Sequence, residues 1–163
     1  MTTNAGFPLT RRLVLKGAGS VALIGLGGLS LAPLPVLAAA NDKYPEDAFK
    51  QKGDADAIKS LYGRAAEASD KVKLDAPEIA ENGAVVPVSV TTTLPAVTSI
   101  AFFVSENPNA LAASYVIVEG TVPSVANRLK MQKTSNVIAI VESEGKLYSA
   151  TKEVKVTVGG CGG

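Results

Sequence analysis

The chain changes periodicity once. From Tyr44 to about Ala68, apolar residues recur at helical spacing: Ala48, Phe49, Ala57, Ile58, Leu61 and Tyr62 supply one face. Pro45 suits the first turn, Glu46 and Asp47 favour its positive end, and Gly53 and Gly63 punctuate the segment. After Ser69 the pattern becomes β-branched alternation at period two. It predicts strands near Val72–Leu74, Val85–Thr93, Ser99–Ser105, Ala113–Val118, Ser124–Lys133, Val137–Ser143 and Lys146–Val158. Turn signals separate them at Glu81-Asn82-Gly83, Asn107-Pro108-Asn109, Glu119-Gly120, Thr134-Ser135-Asn136 and Glu144-Gly145.

About seven short strands joined by tight turns predict a mainly β fold, an immunoglobulin-like antiparallel β-sandwich behind an N-terminal helical segment. Val154, Val156 and Val158 share one face of the last strand, opposite Glu153, Lys155 and Thr157, so this strand is expected to be seated as far as Val158. The run Val85, Val86, Val88 and Val90 holds more apolar residues than one buried face requires. Two explanations stand: a partner covers the excess, or the N-terminal helix buries the second face of a central strand.

The first forty residues read differently. Their only charges are Arg11, Arg12 and Lys16, followed by an uncharged stretch rich in Ala, Leu, Val and Gly. Thr10-Arg11-Arg12-Leu13-Val14-Leu15-Lys16 resembles the twin-arginine signal of Tat export. A membrane span is the alternative, but Gly17, Gly19, Gly25, Gly27, Gly28, Pro33 and Pro35 weaken it. Ala38-Ala39-Ala40 offers small side chains for cleavage, so the mature chain is expected to begin at Asn41 and to diffuse freely in the periplasm. This divides the sequence into a signal (1–40), a helical segment (41–70), a sandwich (71–158) and a tail (159–163).

Composition removes most chemistry. There is no His, so Ser-His-Asp and Cys-His catalysis and the commonest metal ligand are absent. One Cys and two Met are too few for a zinc or iron-sulfur site and allow no internal disulfide. No metal and no cofactor are expected. Sixteen basic against 15 acidic residues give a net charge of +1, which argues against nucleic-acid binding.

What remains is the terminus, Val158-Gly159-Gly160-Cys161-Gly162-Gly163. Gly159, Gly160, Gly162 and Gly163 remove bulk around Cys161 and give the backbone wide freedom, so a flexible arm with an exposed thiol is expected. The three steps from Val158 to Cys161 span roughly 10 Å when extended. A thiol held this way can exchange with disulfides or accept sulfane sulfur through its thiolate. No Lys, Arg or helix start adjoins it in sequence to lower its pKa, so activation is expected from the protein that receives the arm. An intermolecular disulfide that fixes a dimer and an incidental tail cysteine stay open on these residues alone; acyl activation at the terminal Gly-Gly conflicts with export.

The terminal GGCGG after Val156-Thr157-Val158, the segment Pro77-Glu78-Ile79-Ala80-Glu81-Asn82-Gly83 before a Val-rich strand, the Glu106-Asn107-Pro108 turn and the twin-arginine leader together resemble the SoxY family. These are the sulfur-carrier subunits of the periplasmic thiosulfate-oxidising Sox system. The resemblance implies a non-catalytic, cofactor-free carrier. It also implies a sandwich paired with SoxZ in a heterodimer, with Cys161 as the covalent attachment point and the flanking glycines as a swinging arm. It further implies that the SoxAX cytochrome couples thiosulfate to the cysteine and that the SoxB hydrolase releases sulfate. A sulfane dehydrogenase acts next where an organism has one.

Overall fold

The computed structural model describes residues 44–158. The leader with Arg11 and Arg12, and the terminal Gly159, Gly160, Cys161, Gly162 and Gly163, lie outside the described residues. Two short helices come first, α1 (Glu46–Phe49) and α2 (Asp54–Tyr62). Gly53 adopts an extended N-cap conformation before α2, and Asp54 and Asp56 sit in its first turn. At the other end Gly63, at φ 72°, donates its N–H to the Lys59 carbonyl at 2.7 Å and stops the helix.

Nine strands follow: β1 (Glu67–Ala68), β2 (Val72–Asp75), β3 (Ile79–Ala80), β4 (Val86–Thr92), β5 (Val97–Val104), β6 (Leu111–Val116), β7 (Ser124–Leu129), β8 (Ser135–Ser143) and β9 (Lys146–Val156). The larger sheet runs β1-β9-β8-β5-β6, with β3 also paired to β9; the smaller runs β2-β4-β7. Each of the seven sequence-predicted strands is present, with ends shifted by a few residues. β1 and β3 were not anticipated. Both are two residues long and lie parallel to β9, Glu67 opposite Tyr148 and Ile79 opposite Lys155, so neither shows a period of its own. The turn expected at Thr134-Ser135-Asn136 is shorter than expected, because Ser135 and Asn136 already pair with Val154 and Glu153. At Glu144-Gly145 the expectation holds. Both residues have positive φ, 49° and 72°, the requirement of a two-residue hairpin turn between β8 and β9.

The hydrophobic core has two parts. Between the sheets, Val86, Val88 and Val90 of β4 meet Ile100, Phe102 and Val104 of β5, Val137, Ala139 and Val141 of β8, and Val154 of β9. On the opposite face of the larger sheet, Ala101, Phe103 and Ile140 pack with Ala48 of α1 and Ala57 of α2. The valine run therefore departs from the second explanation, in which the N-terminal helix buries its other face. β4 buries one face only, with Pro87 and Thr91 exposed, and Val85 lies before the strand and is exposed. The helices cover β5 and β8, which is why those two strands read as nearly continuous apolar runs.

Candidate functional site: the base of the C-terminal arm

The last strand must leave the sheet before residue 159, and how it leaves fixes where Cys161 starts from. β8 pairs with β9 along most of its length, from Ser143 opposite Lys146 to Ser135 opposite Val154. Beyond Val154 that neighbour is gone. β3 takes over on the other edge: Lys155 donates its N–H to the Glu78 carbonyl at 2.9 Å, and Thr157 donates to the Ala80 carbonyl at 3.1 Å. Side chains add two contacts. The Thr134 hydroxyl accepts the Val156 N–H at 3.0 Å, and the Thr157 hydroxyl donates to the Glu81 carbonyl at 3.0 Å. Finally the buried Gly83 donates its N–H to the Val158 carbonyl at 2.8 Å. The strand is thus held to Val158, as the alternation suggested, although regular pairing ends at Val156.

Gly83 is itself held. Its carbonyl accepts the Met131 N–H at 2.7 Å, and Met131 is fully buried. The loop carrying Met131 is tied down by Asn107: its amide donates to the Lys130 carbonyl at 2.7 Å and its oxygen accepts the Gln132 N–H at 3.0 Å. The Asn82 carboxamide oxygen accepts the Ala84 N–H at 2.8 Å, which shapes the turn that presents Gly83. Three sequence segments far apart in the chain, Pro77–Gly83, Glu106–Pro108 and the end of β9, therefore meet through one relay of hydrogen bonds.

The arrangement is a mechanical anchor with no reaction centre of its own. Its charged groups face solvent: Glu78, Glu81 and Lys155 are exposed, and Glu106 pairs with Lys133 at 2.8 Å. Among the described residues no three acidic or other ligating side chains cluster to hold a metal ion, and no helix is long and apolar enough to cross a membrane. A depression of about 670 Å³ lies on the outer face of the smaller sheet between Asp75, Pro87, Ser89 and Arg128; the only hydroxyl in its lining is that of Ser89. Among the described residues the one strongly shifted group is at the opposite end of the sandwich. Burial pushes the Tyr62 hydroxyl up to about 12, while its hydrogen bond with Ser99 at 3.0 Å opposes that and the Glu142 charge adds to it.

Sequence reasoning found the cysteine arm and the strand that bears it. It missed the roles of Asn107, Thr134, Thr157 and the Gly83 peptide, whose partners lie 22 to 76 residues away in the chain.

The fold and the anchored strand end can be set beside known proteins. The family described as "Sulfur oxidation protein SoxY" matches residues 58–161, a span that runs from α2 through β9 to the cysteine. The chain belongs to the SoxY family. Among solved structures it is similar to the sulfur carrier protein SoxY from Chlorobium limicola f thiosulfatophilum, with 42% sequence identity and a TM-score of 0.58, covering 64% of this chain and 96% of that one. None of the curated proteins matches it. The family match begins at Ile58, so the two-sheet sandwich is what the SoxY family shares, and α1 precedes it.

Proposed function

We propose that this SoxY-family chain carries covalently bound sulfur intermediates of thiosulfate oxidation on Cys161, with Gly159, Gly160, Gly162 and Gly163 as the swinging arm. The observation that carries the reading is the anchored strand end: a backbone relay fixes Val158 three residues before the sole cysteine of a chain in this family. The rigid base sets the arm's origin, and glycine sets its freedom. The carrier works in the periplasm after export directed by Arg11 and Arg12, as a heterodimer with a SoxZ-like subunit, and needs no cofactor.

The chemistry divides between carrier and enzymes. In the loading step the Cys161 thiol gives up its proton, a bond forms between its sulfur and the outer sulfur of thiosulfate, and two electrons pass to the SoxAX cytochrome. In the next step water, in the SoxB hydrolase, cleaves the bond between the outer sulfur and the sulfonate. It releases sulfate and two protons and leaves an ionised persulfide on Cys161, which a sulfane dehydrogenase oxidises further where the organism has one. The chain supplies the thiol, its reach and its presentation; without histidine it has no general base of the usual kind. The test is the Cys161→Ser variant. Cells growing on thiosulfate with this variant are expected to form no sulfate through the pathway, and mass spectrometry of the wild-type chain isolated without reductant is expected to show sulfur additions on the C-terminal peptide. Normal sulfate production by Cys161→Ser, or a wild-type peptide found only as thiol and dimer disulfide, overturns the proposal.

A further inference from the structure

We infer that Asn82-Gly83 is a site of spontaneous deamidation governed by the anchor of the arm, because the Gly83 nitrogen that grips Val158 is also the nitrogen that attacks Asn82. This goes beyond the carrier reading of Cys161 and does not depend on it.

Asparagine is thermolabile where the next backbone nitrogen can reach its side chain. Here the Gly83 nitrogen loses its proton and bonds to Cγ of Asn82. The bond from Cγ to Nδ2 breaks, and Nδ2 leaves as ammonia with that proton, closing a succinimide ring. Water then opens the ring. Opening at Cγ leaves aspartate at position 82; opening at the backbone carbonyl carbon leaves isoaspartate, which puts an extra methylene into the main chain. No oxidant or cofactor enters. Glycine favours the attack because no Cβ crowds its nitrogen, and Asn82-Gly83 is the only Asn-Gly pair in the chain. Asn107 precedes a proline, which has no N–H, and Asn127 and Asn136 precede the bulkier Arg128 and Val137.

In the folded chain the reactants are adjacent but withheld. Asn82 is exposed, so water and base reach its carboxamide, whereas Gly83 is buried. The Gly83 N–H donates to the Val158 carbonyl at 2.8 Å, and a nitrogen that has lost its proton cannot make that bond. Ring closure and anchoring therefore exclude each other. Two more bonds oppose the rotations that closure needs: the Met131 N–H holds the Gly83 carbonyl at 2.7 Å, and the Ala84 N–H holds Oδ1 of Asn82 at 2.8 Å. Attack requires the end of β9 to come off Gly83 first, so the rate follows the population in which that end is open. The effect also runs in reverse. Isoaspartate displaces Gly83 and adds a carboxylate beside it, so a modified chain no longer presents this peptide to both Val158 and Met131, and the arm loses its fixed origin.

The experiment incubates the purified full chain at mildly alkaline pH and follows aspartate and isoaspartate at position 82 by peptide mass spectrometry, with amide exchange at Gly83 and Phe102 read by NMR. Folded wild type is expected to deamidate at least about tenfold more slowly than the same chain in urea, since the open population is small. Thr134→Val with Thr157→Val removes the two side-chain hydrogen bonds at the strand end, both from exposed residues. This pair is expected to speed deamidation about tenfold, with Gly83 exchange rising in step and Phe102 exchange unchanged. Should the pair lower the thermal melt, Thr157→Val alone is read in its place. Deamidation of the folded wild type as fast as in urea overturns the inference, as does a loosened strand end that leaves the rate unchanged. Exchange at Phe102 rising together with Gly83 assigns the reaction to global unfolding and overturns it as well. None of these readouts involves Cys161, so the carrier reading stands or falls separately on Cys161→Ser.

Discussion

Phe102 and Phe103 are neighbours on β5, and both are fully buried, yet they belong to different halves of the molecule. Phe102 points between the sheets, where its ring meets Tyr115 edge-on at 6.4 Å and the valines of β4 close over it. Phe103 points to the helical side, among Ala48, Ala57, Ala110 and Leu111. One face is closed by three strands joined through continuous ladders, the other by helices of four and nine residues that bury Ala48 and Ala57 and pack the partly buried Phe49, Ile58, Leu61 and Tyr62 beside them. The SoxY family match spans the first in full and takes up the helices only from Ile58. The sandwich therefore holds the strand that bears the arm, whereas the helices cover a sheet already formed. α1 alone is too short to persist without that sheet.

The comparison is broken most directly at the two phenylalanines. Phe102→Ala is expected to destabilise the whole domain by about 4 kcal/mol, read as a lower denaturation midpoint, because the rigid sheets leave a cavity they cannot close. Phe103→Ala is expected to lose less, about 3 kcal/mol, because two short helices can settle inward more readily than a hydrogen-bonded sheet. Its signature should be early amide exchange confined to residues 46–62. Equal losses with uniform exchange would show that the two faces form one cooperative unit and remove the distinction.

The smallest effect sharpens the same contrast at the edge of the helical side. Tyr62 shares a hydrogen bond with Ser99 of β5 at 3.0 Å, and burial raises its hydroxyl to about 12 from an ordinary value of 10.0. A raised folded value means that the native state keeps a proton the unfolded chain has released. This stabilisation is fully present below pH 10 and is lost as pH climbs through 12. Wild-type stability should fall over that window by on the order of 2 kcal/mol through this group. Tyr62→Phe removes the contribution and, at neutral pH, costs about 1 kcal/mol for the lost bond. A denaturation series from pH 7 to pH 12 checks both, and an alkaline slope unchanged in the variant would assign it to other groups.

Much of this was legible in the chain, for stated reasons. Strand positions follow from side chains alternating at period two, as in Val86, Val88 and Val90, a property of each segment by itself. Gly63 marked the end of α2, and Glu144-Gly145 marked a hairpin, because their positive φ narrows the choice of residue. Ser135 misled: a serine between Thr and Asn reads as a turn, yet it is buried at the head of β8, where its hydroxyl accepts the Glu106 N–H at 3.0 Å. The valine run at 85–90 does not tell which strands are covered on both faces: β5 and β8 are identified only once the helices are seen to pack on them.

The sequence by itself determined the strand periods, the reversal points and the single thiol of the chain, since each depends on the chemistry of a residue and its near neighbours. Only the tertiary structure decided that Asn107 steadies the loop that steadies Gly83, and that Gly83 grips Val158. A backbone N–H carries the same donor in every residue but proline. Which distant carbonyl it meets is settled by how the whole core packs, and no local pattern records that choice.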